Sequence, residues 1–347
     1  MATTLAKAIR YISDPNNLYQ QFKKGSFTRD LEVMSQFSLD EAGAVRVQSN
    51  SYTGDSQAYD GYGSVSYAAA DVIKANTGWV TYQLDQKRYY PMPIDKIESE
   101  ESLTNFVSRI NGLMKYKVAA DIDTYRLSKL AHQAGVTCVN SAGTSGVIDT
   151  DVVGATANAA LSKTSILPTI ETMLAKMAEE EVTPESYLMY ATPATLRILE
   201  DADKITRFIN VRETERDGIS YKIRYIETSN GRVDIVSIPG KYFHAFTLNA
   251  PASINASGTN LNVVGAVDNL FRFMIVARPA VNAVVKVNEA RILPSGTVRG
   301  FLGDLFELFI YHDIFIIERH AGVGAADATT LLTPVAFNGV IKCEASA

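Results

Sequence analysis

"FELFIYHDIFIIERH", residues 306–320, sets a histidine–aspartate pair inside an otherwise apolar, aromatic run. Either His312 and Asp313 belong to a catalytic constellation, or they are structural. A nucleophilic triad brings Ser or Cys, His and an acid together from separate loops. Successive side chains of a strand point to opposite faces, so a continuous strand would keep His312 and Asp313 out of one shared pocket. A tight turn at the pair is the alternative, because Asp bonds its own backbone and tolerates unusual dihedrals. The expectation is therefore two antiparallel core strands, with Phe306, Leu308 and Ile310 before the turn and Ile314 and Ile316 after it. No G-x-S-x-G elbow occurs anywhere to supply a nucleophile.

Upstream of this stretch the chain alternates helix and strand. "FRFMIVA" (271–277) reads as a buried strand, Pro279 as the opening of a short helix through Val281, Val284 and Val285, and "EARIL" (289–293) as a strand. Residues 219–239 read as a hairpin with Asn230-Gly231 in its turn. Thr192-Pro193 is a cap followed by a first-turn proline, opening a helix through Leu196 and Leu199. "SYLMY" (186–190) is a short buried strand. Ile166, Ile170, Met173, Leu174 and Met177 recur at helical spacing, with Pro168 tolerated in the first turn. A small-residue linker, 139–161, precedes them, and the tail from 322 is weakly patterned.

The most regular element spans 98–134. Leu103, Phe106, Val107, Ile110, Leu113 and Met114, then Val118, Ile122, Tyr125 and Leu130, form one apolar stripe of helical period. At about 1.5 Å per residue this helix is roughly 50 Å long, which suits a strut better than a catalytic scaffold. Before it, "VRVQSNSY" (45–52) and "WVTYQLDQKRYY" (79–90) read as strands around a Gly-, Ser-, Tyr- and Ala-rich connection. That is an extended hairpin, and an isolated two-stranded ribbon is marginal in water. Tyr52, Tyr59, Tyr62 and Tyr67 give it large contact area at low entropy cost, as interfaces favour. Trp79 belongs with them. Residues 1–43 read as an arm: Leu18 and Phe22 are too few to bury a core alone, so this segment must lie on something else. Leu18 and Phe22 thus join the candidate interface residues.

Composition narrows the function. The chain is 46% hydrophobic and 20% charged, enough for a sizeable core, and its formal net charge of −5 carries no bulk basic signature for nucleic acid or an anionic membrane. Cys138 and Cys343 read as unpaired thiols of a reducing compartment, too few for a structural zinc. No secretory signal or run of about 18 apolar residues is visible, so the expectation is a soluble, cytosolic protein without a membrane span. "GYGSVS" (61–66) and "GVGAAD" (322–327) both lack the third glycine of a dinucleotide fingerprint. Asp121 and Asp123, two apart on a helix, diverge. His132, His244 and His320 have no metal-ligand spacing, and Asn255-Ala256-Ser257 is a glycosylation pattern with no signal peptide to use it.

Three stretches carry a resemblance. "RYYPMPIDKIESEESLTNFVSRI" (88–110) looks like a hairpin return running into a spine helix. "KVAADIDTYRLSKLA" (117–131) carries a D-x-x-R-L pattern in the second half of that helix. "FMIVARPAVNAVVKVNEARIL" (273–293) followed by "ELFIYHDIFIIERHAGVGA" (307–325) looks like a late strand, short helix and Tyr-His-Asp strand pair with a Gly-rich exit. In this order they resemble the major capsid protein of tailed bacteriophages, a fold shared with encapsulin shells. The resemblance implies an α+β fold with an N-terminal arm (1–43), an extended β-hairpin loop (44–92), and a peripheral domain (93–140 and 281–330) holding the spine helix. An axial domain (141–280) and a C-terminal tail (331–347) complete it. It implies a shell subunit, not an enzyme: a homo-oligomer of pentamers and hexamers tiling an icosahedral head around double-stranded DNA, without sequence-specific binding. Scaffolding, portal and decoration proteins are the implied partners, no cofactor or metal is implied, and the implied location is the virion, assembled in the host bacterial cytoplasm. An encapsulin-type compartment with an enzyme cargo is the alternative on the same architecture. A cytosolic hydrolase using His312 is the alternative of another class.

Overall fold

The computed structural model describes residues 14–32, 37–39, 44–53, 74–84, 86–95, 103–133, 136–137, 162–179, 184–202, 210–216, 219–243, 271–293, 303–316 and 340–344. They form three sheets, of which the larger two pack against one long helix.

Helix α1 (Pro15–Gly25) opens on Asp14, whose side chain accepts from the Asn16 N–H, with Pro15 in the first turn and Lys23 and Lys24 at the negative end of the helix dipole. The long helix runs from Leu103 to Gln133 in three consecutive segments: α2 (Leu103–Gly112), a π-helical stretch (Leu113–Val118) and α3 (Ala119–Gln133). Residues 98–102 and 134 of the expected helix lie outside the described residues. Gly25 meets the π-helical stretch so closely that a Cβ there would sit 2.2 Å from the Lys115 carbonyl oxygen. Only glycine lets the two backbones touch at this point.

The first sheet is β1 (Phe37–Leu39), β2 (Ala44–Thr53) and β3 (Lys74–Gln83), antiparallel throughout. It shares no ladder with the other two sheets. The stretch 79–90 is not one strand. It breaks around Leu84, and β4 (Gln86–Asp95) joins β12 (Gly303–Ile316), which pairs in turn with β11 (Val281–Leu293).

The seven-stranded sheet has the order β5 (Val136–Thr137), β13 (Val340–Glu344), β10 (Phe271–Ala277), β6 (Ser186–Ala191), β9 (Gly231–Ser237), β8 (Ile219–Thr228), β7 (Asn210–Arg216). At its centre β6 alternates cleanly. Tyr187, Met189 and Ala191 face α4 (Ile166–Glu179) and α5 (Pro193–Glu200), while Leu188 and Tyr190 face Leu127 and Leu130 of the long helix. Thr192 caps α5 through the Thr195 N–H, with Pro193 at its first position. Gly231, at φ 133, closes the β8–β9 turn.

Four further expectations are corrected. First, β12 runs unbroken through His312 and Asp313, pairing with β11 from Leu305 to Ile316, so there is no turn. His312 continues the parity of Phe306, Leu308 and Ile310 and faces the core with them. Second, Val281–Val285 is strand, not helix. Val281 and Ala283 face one side, while Val284 packs with Leu84 and Phe315 on the other. With both faces apolar, a strand of β-branched residues imitates helical spacing. Third, the tail contributes β13, which pairs with β10. Fourth, Leu18 and Phe22 are 1% and 0% exposed, packed on Ile110, Met114, Phe306 and Leu308 within their own chain, so they are not interface residues. The arm segment does lie on something else, and that something is its own long helix.

Candidate functional site

The charged residues of α3 gather the chain around one buried centre. Asp123 is fully buried and receives four hydrogen bonds from the segment just after α1. Ser26 Oγ and Thr28 Oγ1 each donate to Oδ1 at 2.7 Å, the Thr28 N–H donates to Oδ1 at 3.3 Å, and the Phe27 N–H donates to Oδ2 at 2.7 Å. One helical turn on, Arg126 Nη1 donates to Thr28 Oγ1 at 2.9 Å and stands 2.9 Å from Glu32 Oε1. The Thr28 hydroxyl thus relays between Arg126 and Asp123. Tyr19 of α1 donates to the other Glu32 oxygen, and the Phe22 ring lies 5.8 Å beneath the Arg126 guanidinium. Burial pushes the Asp123 carboxyl above its usual range, against the pull of these donors and of Arg126. A buried charge pair is costly unless its polar atoms find partners. The arm segment supplies those of Asp123 and of Arg126 Nη1, while Arg126 Nε and Nη2 are buried with no hydrogen-bond partner among the described residues.

His312 lies beside Tyr125, the neighbour of Arg126 on the long helix. Its ring meets Tyr125 edge-on at 5.4 Å, it pairs across the ladder with Gln86, and neither ring nitrogen has a hydrogen-bond partner among the described residues. Burial holds its pKa well below the usual histidine range, and the nearby cations Arg126, Arg88 and Lys129 add to the effect. Asp313 turns elsewhere: Oδ1 accepts from Lys129 Nζ at 2.6 Å, from Tyr125 Oη at 3.2 Å and from the Ile314 N–H at 2.7 Å. The pair does not form a His–Asp dyad. A fully buried neutral imidazole with a neighbouring carboxylate committed to a lysine has no geometry for acid–base work on a substrate. Among the described residues no group of His, Cys, Asp and Glu could hold a metal.

Neither a protein-family model nor a curated protein matches the sequence. Solved structures do match its shape. The capsid of the cyanophage P-SCSP1u aligns at TM-score 0.51 and 13% identity over 92% of this chain and 88% of that one. The mature capsid of bacteriophage PhiM1 aligns at 0.51 and 12% identity, over 92% and 87%. The capsid of Ralstonia phage GP4 aligns at 0.50 and 11% identity, over 93% and 92%. The chain has the tailed-phage capsid fold. At these identities the capsid fold is preserved by shape and pattern, not by residue identity.

Within the capsid fold the candidate interface residues separate. Tyr52 lies on β2 opposite Ala75, and Trp79 on β3 opposite Gln48, so both belong to the hairpin sheet. Tyr59, Tyr62 and Tyr67 lie outside the described residues. Sequence reasoning missed the arm-binding roles of Asp123 and Arg126, although one signal pointed to them. Asp123, Arg126, Leu127 and Leu130 are spaced as one helical stripe, and two charges inside an apolar stripe mark a buried anchor. It also missed Tyr116, 72% exposed on the π-helical stretch, and Tyr89, 45% exposed on β4. Tyr89 donates to Glu307, whose other oxygen takes Arg291 at 2.6 Å, and these two bonds hold the Glu307 carboxyl below its usual range.

Proposed function

We propose that the chain is the major capsid protein of a tailed bacteriophage, a shell subunit that self-assembles as pentamers and hexamers into an icosahedral head enclosing double-stranded DNA. The observation that carries this reading is a capsid fold whose β1–β3 sheet shares no ladder with the body. Among the described residues the three-stranded sheet pairs with no other sheet. A ribbon of so few strands gains from resting on a partner, and copies of the same chain are the partner that a shell supplies. Many weak contacts made together by such projections act cooperatively. The net charge of −5 fits a wall that encloses DNA without gripping it in a sequence-specific way. No helix among the described residues is long and apolar enough to cross a membrane, and the proposed location is the virion.

On this reading, 1–43 is the arm, 44–92 the extended loop, 93–140 with 281–330 the peripheral domain, and 141–280 the axial domain. Tyr52, Tyr59, Tyr62, Tyr67 and Trp79 make subunit contacts. Scaffolding, portal and decoration proteins act around them. The protein works mechanically and not as an enzyme. That view is supported by the buried, undyadic His312 and by the capsid identity of the structural neighbours. Deleting residues 50–76 leaves a soluble subunit that makes few or no shells. Normal particles from that deletion in electron micrographs refute the role given to the loop. Nucleic acid inside the particles supports the phage head, whereas a protein cargo points to a compartment of the encapsulin type. Loss of a measurable turnover in a folded His312→Ala variant would restore the hydrolase.

A further inference from the structure

The hairpin sheet has two feet: one is held by Asp123 and Arg126, and the other pairs beside His312. The incoming foot is the segment from Ser26 to Glu32. Asp123 holds its first residues by four hydrogen bonds, Arg126 holds Thr28 and Glu32, and Leu31 is buried against Leu127 and Leu130. Strand β1 begins shortly afterwards at Phe37. The outgoing foot is Leu84 to Arg88. Leu84 is buried against Val284 and Phe315, and Gln86 pairs with His312 and accepts from Arg88 Nη2 at 2.9 Å. Between the two feet stand Tyr125 and Arg126, the first against the His312 ring and the second close enough to it to act on its charge.

We infer that Asp123 and Arg126, linked through the Thr28 hydroxyl, are positioning residues that fix the angle at which the β1–β3 sheet leaves the body. Apolar contacts alone would leave that angle loose, because they are non-directional. A carboxylate that takes three successive residues of one segment, beside a guanidinium that takes the third of them and Glu32, fixes both place and direction. For a subunit, that angle decides whether the projecting sheet meets its neighbour. This last consequence rests on the capsid reading, while the mechanical claim stands on the isolated chain.

The test measures the angle directly. In a background carrying Cys138→Ser and Cys343→Ser, nitroxide labels are attached through Thr77→Cys on β3 and Lys117→Cys on the long helix. Their separation is read by pulsed electron resonance on the unassembled subunit. The parent gives one narrow distance. Asp123→Ala, and the milder Thr28→Val should the first fail to fold, lose the single narrow peak for a broad distribution. Thr28→Ser, which keeps the hydroxyl, restores it. Met189→Ala, which destabilises the far core, leaves the peak narrow at a comparable loss of melting temperature. The inference is overturned by a broad parent distribution, by narrow peaks in Asp123→Ala and Thr28→Val, or by equal broadening in Met189→Ala. Particle formation by the unlabelled parent is scored separately. Its absence, beside a narrow parent peak that Thr28→Val broadens, defeats the capsid reading and leaves the positioning role intact.

Discussion

The two faces of the seven-stranded sheet are built on different principles. On the face under α4 and α5 the core is dry: Ile166, Ile170, Met173, Met177, Met189, Phe273 and Ile275 meet with no buried charge among them. Toward the long helix, the core of Leu127, Leu130, Tyr190 and Met274 borders Asp123, Arg126, Glu32, His312 and Asp313, all of them buried. Dry packing holds elements together and accepts many rearrangements of similar volume. Buried polar groups are costly unless every partner is in place, so they favour one arrangement over its neighbours. The second device stands where the arm segment is rooted, and the first under α4 and α5.

Urea unfolding of single variants sharpens that contrast. Arg126→Leu strands Glu32 in the interior without its cation and lowers stability by about 3–5 kcal/mol. Removing Glu32 as well, by Glu32→Leu, returns much of the loss, because an ion pair replaced by apolar residues is often near neutral. No such recovery is available to Met189→Ala, whose cost of about 2–4 kcal/mol is a cavity. If Arg126→Leu costs less than Met189→Ala, the polar centre is not the firmer of the two.

Gly25→Ala probes the seat of the arm helix. A Cβ 2.2 Å from the Lys115 carbonyl oxygen forces two backbones apart, at about 1–3 kcal/mol. A stability equal to the parent's would show that α1 does not rest on the π-helical stretch.

His312 gives the smallest effect, and it depends on pH. The folded state keeps the imidazole neutral, whereas the unfolded chain takes up a proton below about pH 6.5. The unfolded state therefore binds more protons, and stability falls as pH drops below that value, with no contribution above it. His312→Phe keeps the ring against Tyr125 and removes the titration. Its stability is flatter than the parent's between about pH 6.5 and 5, read from melting temperatures at each pH. Parallel curves would mean that His312 is not buried as a neutral ring.

The parts that were legible from sequence are those governed by local periodicity. The stripe from Leu103 to Leu130 announced the long helix, Thr192-Pro193 the cap of α5, and "FRFMIVA" a buried strand. Errors came where long-range pairing outvoted local signals. Asp313 reads as a turn residue, yet β11 pairs with β12 from Leu305 to Ile316 and carries the strand through it. Leu18 and Phe22 looked like an arm seeking another molecule. Nothing in residues 14–32 states that a carboxylate nearly a hundred positions later will bind Ser26, Phe27 and Thr28 and bring the segment home. Residues 14–32 therefore find their support within the chain, and the claim of contact with other copies narrows to the β1–β3 sheet.

That narrowed claim is tested most directly by the mass in solution of the chain expressed alone, measured by light scattering and followed by imaging. Closed particles of megadalton mass, lost when residues 50–76 are removed, are the predicted result. A monodisperse monomer at every concentration, with β2 and β3 as protected from hydrogen exchange as β6 and β10, would contradict it.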